Sequence, residues 1–247
     1  MKLFAGLLAS LAAVPIIVLV AFAQDQSPAG MPKEQGNFRS PDLVELVKLD
    51  PSIKLDIRYA TPNNFLGRQV YPEARAFLQR PAAESLLRVH QAMQKKGYGV
   101  LVFDGYRPWA ITKIFWDATP ASKKNFVANP AKGSKHNRGC AVDMSLFDLK
   151  TGKEIQMPSE YDEMTERAYP NYKGGTAEQR QMRDLLRAAM ETEGFVVNEY
   201  EWWHFDYKSW HEYPTLNISF DQIKSQSQPK IRERKPRVSP PGQYRLQ

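Results

Sequence analysis

The chain has 247 residues, of which 42% are hydrophobic and 25% are charged. This composition is typical of a soluble globular protein, and the length is sufficient for one well-buried domain. The formal charge is +7, but six cations and a single anion lie in residues 225–247, so the rest of the chain is nearly neutral. A nucleic-acid-binding surface is therefore not expected in the folded part.

The first 23 residues predict a signal peptide. Residues 3–22 form an uncharged and mainly apolar run behind Lys2, and residues 21–23 match a small-x-small cleavage site. We expect export to the periplasm or the medium, with no stable membrane span after cleavage. The run is also close to the ~20 residues that cross a bilayer, so an uncleaved N-terminal membrane anchor is the alternative.

The first half of the remaining chain alternates between loop, strand and helix patterns. Residues 24–40 are polar and contain proline and glycine, which predicts a flexible linker. Strict apolar-polar alternation over residues 53–59 indicates a half-buried strand. Apolar residues at three-and-four spacing predict a helix over residues 81–96, followed by a buried strand at residues 98–103 and another helix at residues 109–117.

The second half also contains both strand and helix patterns. Residues 139–147 predict a strand that includes the single cysteine, Cys140, in a buried apolar role. A further helix is expected over residues 176–193, and β-prone segments follow at residues 195–197 and 202–207. The elements do not follow a regular βαβ order, so we expect an α+β fold with a mainly antiparallel sheet flanked by helices.

The sequence thus predicts one folded domain over residues 41–222. Residues 223–247 are rich in proline and basic residues with few apolar ones, which predicts a disordered basic tail. Such a tail either holds the protein near anionic envelope polymers or is simply solvated, and we favour the second interpretation because most charge runs are solvated.

Two of the four histidines lie near acidic residues in a pattern that suits a metal. A catalytic zinc takes about three protein ligands and keeps one open position, which His136, Asp143 and His204 are able to supply. The seven-residue gap before Asp143 requires a turn, for which Gly139 is suitable. Glu201 lies three residues before His204, where a carboxylate is able to act as general base. The alternative is that these histidines are ordinary hydrogen-bonded residues.

Four segments resemble one family. Residues 134–143 are similar to the S-x-H-x-x-G-x-A-x-D signature of zinc D-Ala-D-Ala peptidases. Residues 201–204 (EWWH) resemble a motif of the D-alanyl-D-alanine dipeptidase branch, which includes the vancomycin-resistance dipeptidases. Residues 104–108 (DGYRP) and 59–65 (YATPNNF) are similar to two further motifs of that branch, and the resemblance covers about residues 43–220.

The resemblance implies the roles of the residues that carry the chemistry. His136, Asp143 and His204 would bind one Zn²⁺ per chain. Glu201 would take a proton from the attacking water and pass it to the leaving amine. Arg107 would stabilise the oxyanion, a task that suits a fixed guanidinium. The alternative for Arg107 is a pairing with a structural carboxylate.

The resemblance also implies three contacts to the substrate. Asp162 falls where the family has an acidic residue that meets the substrate ammonium, and Ser134 and Tyr59 are candidates for the other polar contacts. Recognition of a free amine would exclude long peptide chains. The alternatives are that Asp162 is a solvated surface residue and that Ser134 is only a turn residue.

The implied function is zinc-dependent hydrolysis of the small dipeptide D-alanyl-D-alanine to two D-alanines, in cell-wall peptide turnover or salvage. One alternative is a D,D- or L,D-carboxypeptidase that acts on peptidoglycan stem peptides, for which an open groove is expected in place of a closed pocket. An alternative of another class is a non-catalytic wall-binding module. Glu201 argues against the module, because a purely structural metal site has no use for a base.

Overall fold

The computed structural model describes residues 28–226. The strands, in chain order, are β1 (Leu43–Glu45), β2 (Lys54–Leu55), β3 (Phe77–Gln79), β4 (Tyr98–Asp104), β5 (Ala141–Asp148), β6 (Phe195–Val197) and β7 (His204–Tyr207). The helices are α1 (Leu46–Leu49), α2 (Arg80–Gln94), α3 (Trp109–Ala118), α4 (Ala177–Thr192) and α5 (Phe220–Gln226).

The main sheet has five strands in the order β2-β4-β5-β7-β6, and β1 pairs with β3 in a separate two-stranded sheet. Within the main sheet, β2 pairs with β4 in parallel, whereas the β4–β5, β5–β7 and β6–β7 pairs are antiparallel. The predicted α+β fold with a mainly antiparallel sheet is therefore confirmed.

The predicted helices over residues 81–96 and 176–193 are confirmed as α2 and α4, which pack on each other and on the sheet. The buried face of α2 includes Leu86 and Val89, and that of α4 includes Leu186 and Met190. Burying a side chain of this size stabilises the fold by about 1.5–3 kcal/mol. Thr176 caps α4 in a capping box, which satisfies backbone N–H groups in its first turn.

The predicted strand over residues 53–59 is largely wrong. Only β2 forms there, and the chain then turns into a 3-10 helix at Arg58–Ala60. Ile53, Ile57 and Tyr59 are nevertheless buried. The alternating pattern therefore indicates burial of one side of a mostly irregular segment. The parallel pairing with β4 covers only Lys54 and Leu55, so no longer strand forms.

The predicted strand over residues 202–207 begins later, at His204, because Trp202 and Trp203 form a buried turn before it. Cys140 precedes β5 and is buried as expected, and this burial raises the pKa of its thiol to about 12. A thiol of this kind is a packing group and not a nucleophile.

Part of the predicted linker contacts the domain. Glu34 forms an ion pair with Arg138 and accepts a hydrogen bond of 2.7 Å from the backbone N–H of Thr215. The predicted signal peptide (1–23), residues 24–27 and the tail after residue 226 lie outside the described residues. Between residues 28 and 226, no helix combines the length and apolarity needed to cross a bilayer.

Candidate active site

The antiparallel register of the central strands brings the predicted metal ligands together. Asp143 on β5 lies directly opposite His204 on β7. His136 lies in a 3-10 turn at His136–Arg138, just before β5. Gly139 ends this turn with a φ of 68°, a conformation that glycine adopts without strain. This turn brings His136 back beside the strand, as the seven-residue gap required.

The ligand atoms converge on one point. The Nε2 atom of His136 and the Nδ1 atom of His204 are 3.1 Å apart. The Oδ1 atom of Asp143 is 3.3 Å from the former and 3.0 Å from the latter. A tetrahedral ion with metal–nitrogen distances near 2.0–2.1 Å separates its ligand atoms by about 3.3 Å. The observed spacing therefore fits a metal ion.

A second observation supports this fit. The Oδ1 atom of Asp143 is buried, and within the described part of the chain it has no hydrogen-bond partner, despite its short distances to both rings. A buried carboxylate oxygen without a partner is costly. Lone pairs that face one another are stabilised when a cation lies between them. Among the described residues, His136, Asp143 and His204 are thus a group able to hold a metal ion, and they are called the metal-ligand group below.

The pKa values of Asp143 and His204 are also consistent with a cation at this position. Burial raises the pKa of Asp143, but the neighbouring His136 and His204 outweigh that effect and hold this pKa well below its usual range. Burial lowers the pKa of His204, but Asp206 and Asp143 outweigh it and raise this pKa well above its usual value. The environment therefore favours positive charge beside the carboxylates.

Each of the three residues of the metal-ligand group has a further hydrogen-bond partner. The Nδ1 atom of His136 is 2.7 Å from the carbonyl oxygen of Gly105, and the Nε2 atom of His204 is 2.9 Å from Oδ1 of Asp206. Tyr161 donates a hydrogen bond of 3.0 Å to Oδ2 of Asp143. Neither Asp206 nor Tyr161 was predicted from the sequence. A signal for Asp206 did exist, because residues two apart on a strand share a face.

Glu201 lies beside the metal-ligand group. Its Oε2 atom is 3.7 Å from Nδ1 of His204, and the Trp202–Trp203 turn supplies the bend that their spacing required. Burial raises the pKa of Glu201 to about 8. A carboxyl group with a pKa near neutrality is well suited to accept and return a proton.

Arg107 follows β4 and points toward the same group. Its guanidinium donates two hydrogen bonds to Oδ2 of Asp104, at 2.9 and 2.7 Å, and its Nη2 atom is 3.7 Å from Oδ2 of Asp143. The side chain also packs over the ring of Phe115. Arg107 is therefore paired with a structural carboxylate, and it also lines the cavity described below. The pairing fixes the orientation of its charge.

Asp162 and Tyr59 form the other polar wall. The hydroxyl of Tyr59 donates a hydrogen bond of 2.9 Å to Oδ1 of Asp162, whereas Oδ2 is buried and finds no partner among the described residues. Burial raises the pKa of Asp162 to about 7. Its φ of 64° is the positive value of a non-glycine residue held in a special conformation. The alternative of a solvated surface position is therefore wrong.

Ser134 has a structural contact as well as a position in the cavity. Its hydroxyl accepts a hydrogen bond of 3.2 Å from the backbone N–H of His136, as expected for a turn residue. It is buried and lines the cavity.

A single cavity of about 410 Å³ unites these residues. Phe126 and Tyr200 also line it, with their ring centroids 6.3 Å apart. All eight residues predicted for the site line this cavity: Tyr59, Arg107, Ser134, His136, Asp143, Asp162, Glu201 and His204. The cavity therefore combines the metal-ligand group, the carboxyl group of Glu201 with its raised pKa, the guanidinium of Arg107 and the buried carboxyl group of Asp162.

Comparisons with known proteins identify the family of this chain. The chain is 32% identical over 179 residues to a D-alanyl-D-alanine dipeptidase of Escherichia coli (strain K12), covering 72% of this chain and 91% of the relative. It is 34% identical over 186 residues to a D-alanyl-D-alanine dipeptidase of Enterococcus faecium, covering 68% and 92%. A solved structure of the LdcB LD-carboxypeptidase aligns with 70% of this chain and 71% of its own, at 22% identity and a TM-score of 0.41. The family profile described as D-ala-D-ala dipeptidase matches residues 39–223, and the chain therefore belongs to that peptidase family.

Proposed function

We propose that the protein hydrolyses D-alanyl-D-alanine to two D-alanines with one zinc ion held by His136, Asp143 and His204. The observation that carries this proposal is the convergence of these three residues beside Glu201 in one cavity. Membership of the dipeptidase family supports the same reaction. When bound, zinc supplies a Lewis acid that polarises a carbonyl group and lowers the pKa of water.

The residues around the metal-ligand group then divide the chemistry. Glu201 accepts a proton from the attacking water and returns it to the leaving amine, for which its raised pKa is suitable. Arg107 presents a permanent charge to the oxygen of the scissile carbonyl as negative charge develops there. Asp104 holds the guanidinium before the substrate arrives, so little reorganisation is needed.

The opposite wall recognises the substrate amine. The unpaired Oδ2 atom of Asp162 is available to an ammonium group, and Tyr59 positions this carboxylate through Oδ1. Ser134, which also lines the cavity, is available for a further polar contact. A buried carboxylate that binds a free amine disfavours substrates extended at that end. This wall supports a dipeptidase over a carboxypeptidase that acts on peptidoglycan stem peptides.

The cellular setting of the proposal comes from the sequence. An exported enzyme with a signal peptide at residues 1–23, a linker at 24–40, a catalytic domain at 41–222 and a basic tail at 223–247 would act in the periplasm or outside the cell. Its role would be turnover or salvage of peptides released from the cell wall.

Release of free D-alanine by the purified, zinc-loaded protein tests this function. D-alanyl-D-alanine and a tripeptide with a blocked amine are compared as substrates, with Glu201→Gln as the matched variant. We expect cleavage of the dipeptide alone, and a loss of about 10²–10⁴-fold in kcat for Glu201→Gln. Cleavage of the blocked peptide alone would assign a carboxypeptidase. Cleavage of neither would favour a wall-binding module.

A further inference from the structure

A chain of charged groups lies behind one of the two histidine ligands. The Nε2 atom of His204 is 2.9 Å from Oδ1 of Asp206, and the other carboxylate oxygen of Asp206 is 3.2 Å from Nζ of Lys135. His136 differs, because its outer nitrogen faces the backbone carbonyl of Gly105. Each histidine thus has an outer acceptor, and that of His204 is a carboxylate supported by a cation.

We infer that Asp206 is a positioning residue for His204, and that Lys135 fixes Asp206. The carboxylate accepts the Nε2–H hydrogen bond, so the lone pair of Nδ1 faces Asp143 and His136. This inference rests on the proposed metal site. A carboxylate behind a ligating histidine sets its tautomer, restrains its ring and makes it a stronger ligand.

The sheet explains why Asp206 is able to take this position. His204 and Asp206 lie two residues apart on β7 and therefore share a face. In the register, Asp206 lies opposite Ala141 on β5, and Ala141 is fully buried. A larger residue at position 141 would meet the carboxylate, because directly opposed side chains on one face lie about 4.5–5.5 Å apart between Cβ atoms.

Lys135 joins this chain from the turn that carries the first ligand. It immediately precedes His136, and its ammonium lies 5.5 Å from the centroid of the Trp210 ring. The backbone carbonyl of Lys135 also accepts hydrogen bonds from Arg138 and Cys140. The Lys135–Asp206 pair therefore ties the turn that holds His136 to the strand that holds His204.

The test is the zinc affinity of the full-length, initially metal-free protein, measured by competition with a chromophoric chelator. We expect Asp206→Ala to weaken zinc binding by about 10–100-fold, the range for groups that orient a ligand. Asp206→Asn keeps an oxygen that accepts from Nε2–H but removes the charge, so its loss should be smaller. Asp117→Asn is the matched control, since Asp117 pairs with Lys113 on the exposed surface of α3.

An NMR signature separates positioning from a general structural effect. In the zinc-loaded wild type, His204 should show a metal-bound Nδ1 and a slowly exchanging Nε2–H, and this proton signal should be lost in Asp206→Ala. If Asp206→Ala does not fold, the affinity and ring signals of Asp206→Asn decide the matter, with wild-type affinity contradicting a role for the charge.

Different outcomes contradict the positioning role of Asp206 and the proposed metal site. An Asp206→Ala variant that stays within about twofold of the wild-type affinity would overturn the positioning role, since the expected range begins near tenfold. In that case the proposed metal site still stands if the wild type binds one zinc and His204→Ala does not. A wild type that binds no zinc would overturn both proposals.

Discussion

Two buried histidine clusters in this domain satisfy their polar atoms in different ways. In the cluster around His90, Nδ1 accepts a hydrogen bond of 3.1 Å from the backbone N–H of Val100, and Nε2 lies 2.8 Å from the hydroxyl of Ser52. That hydroxyl in turn donates to Asp50. Protein groups thus pair both ring nitrogens of His90.

The cluster of His136, Asp143 and His204 is arranged in the opposite way. Its ligand atoms face one another, and one buried carboxylate oxygen has no hydrogen-bond partner among the described residues. The nitrogen of each histidine that points away from the cluster has a protein acceptor, whereas the other nitrogen faces the position that a cation would take. Burial alone therefore does not identify a histidine as a metal ligand, because His90 is buried too. What identifies it is a ring nitrogen that faces other potential ligand atoms instead of a hydrogen-bond partner.

The largest expected difference between the two histidine clusters is in zinc affinity. His136→Ala removes an inner-facing ligand, so we expect binding to weaken by more than about 100-fold, beyond the range for groups that only orient ligands. His90→Asn should leave zinc affinity unchanged, because His90 does not line the cavity. Chelator competition on both variants measures the difference. A comparable loss in His90→Asn would break the comparison.

The pH dependence of stability should differ in sign between Asp162, which lines the cavity of the metal-ligand group, and His90. In the active site, burial raises the pKa of Asp162 from 3.8 to about 7. The metal-free native protein therefore keeps a proton that the unfolded chain has lost, and its free energy of unfolding falls as pH rises through this window. Glu201, whose pKa is also raised, keeps part of this dependence. The side-chain amide introduced by Asp162→Asn is neutral throughout, so this substitution should remove the share of Asp162 and leave a shallower fall, a difference on the order of 1–3 kcal/mol.

Urea unfolding with a chelator present, at about pH 5 and about pH 8, measures the Asp162 effect. Asparagine tolerates the positive φ of this position and keeps an oxygen for the hydroxyl of Tyr59, which makes the variant a matched one. Parallel pH profiles for the variant and the wild type would show that Asp162 is already ionised in the metal-free protein.

The smallest expected effect is the pH dependence of the free energy of unfolding that His90 contributes, which is opposite in sign to that of Asp162. Burial lowers the pKa of His90 below 6.5, and a second ring proton would break the bond from Val100. The unfolded chain then binds the extra proton, so stability falls as pH drops below 6.5. One such group contributes a slope of at most about 1.4 kcal/mol per pH unit.

His90→Asn tests this dependence, because its amide oxygen is able to replace Nδ1 as the acceptor while the side chain stays neutral. We expect the variant to be less stable at pH 7 but to lose less on acidification. Urea unfolding between about pH 7 and about pH 5.5 provides the comparison, and equal slopes for both proteins would contradict it.

The sequence alone determined those parts that depend on local pattern. The amphipathic faces of α2 and α4 were predictable because each repeats along a single helix. The motifs at residues 134–143 and 201–204 predicted that His136, Asp143, His204 and Glu201 meet at one site, because they resemble the motifs of a known family, and these residues do line one cavity. The strand over residues 53–59 failed because its alternation does not reveal whether a neighbouring strand is present.

Tertiary structure decided what depends on distant segments. Tyr59 and Asp162 are 103 residues apart, and the hydrogen bond that orients the carboxylate exists only after the wall of the cavity has formed. Asp206 shares a face of β7 with His204 by local spacing, but its ion pair with Lys135 and its place opposite the small Ala141 depend on distant segments. The raised pKa values of Asp162 and Glu201 arise mainly from burial. Burial is the sum of many packed contacts, and a local sequence pattern does not encode that sum.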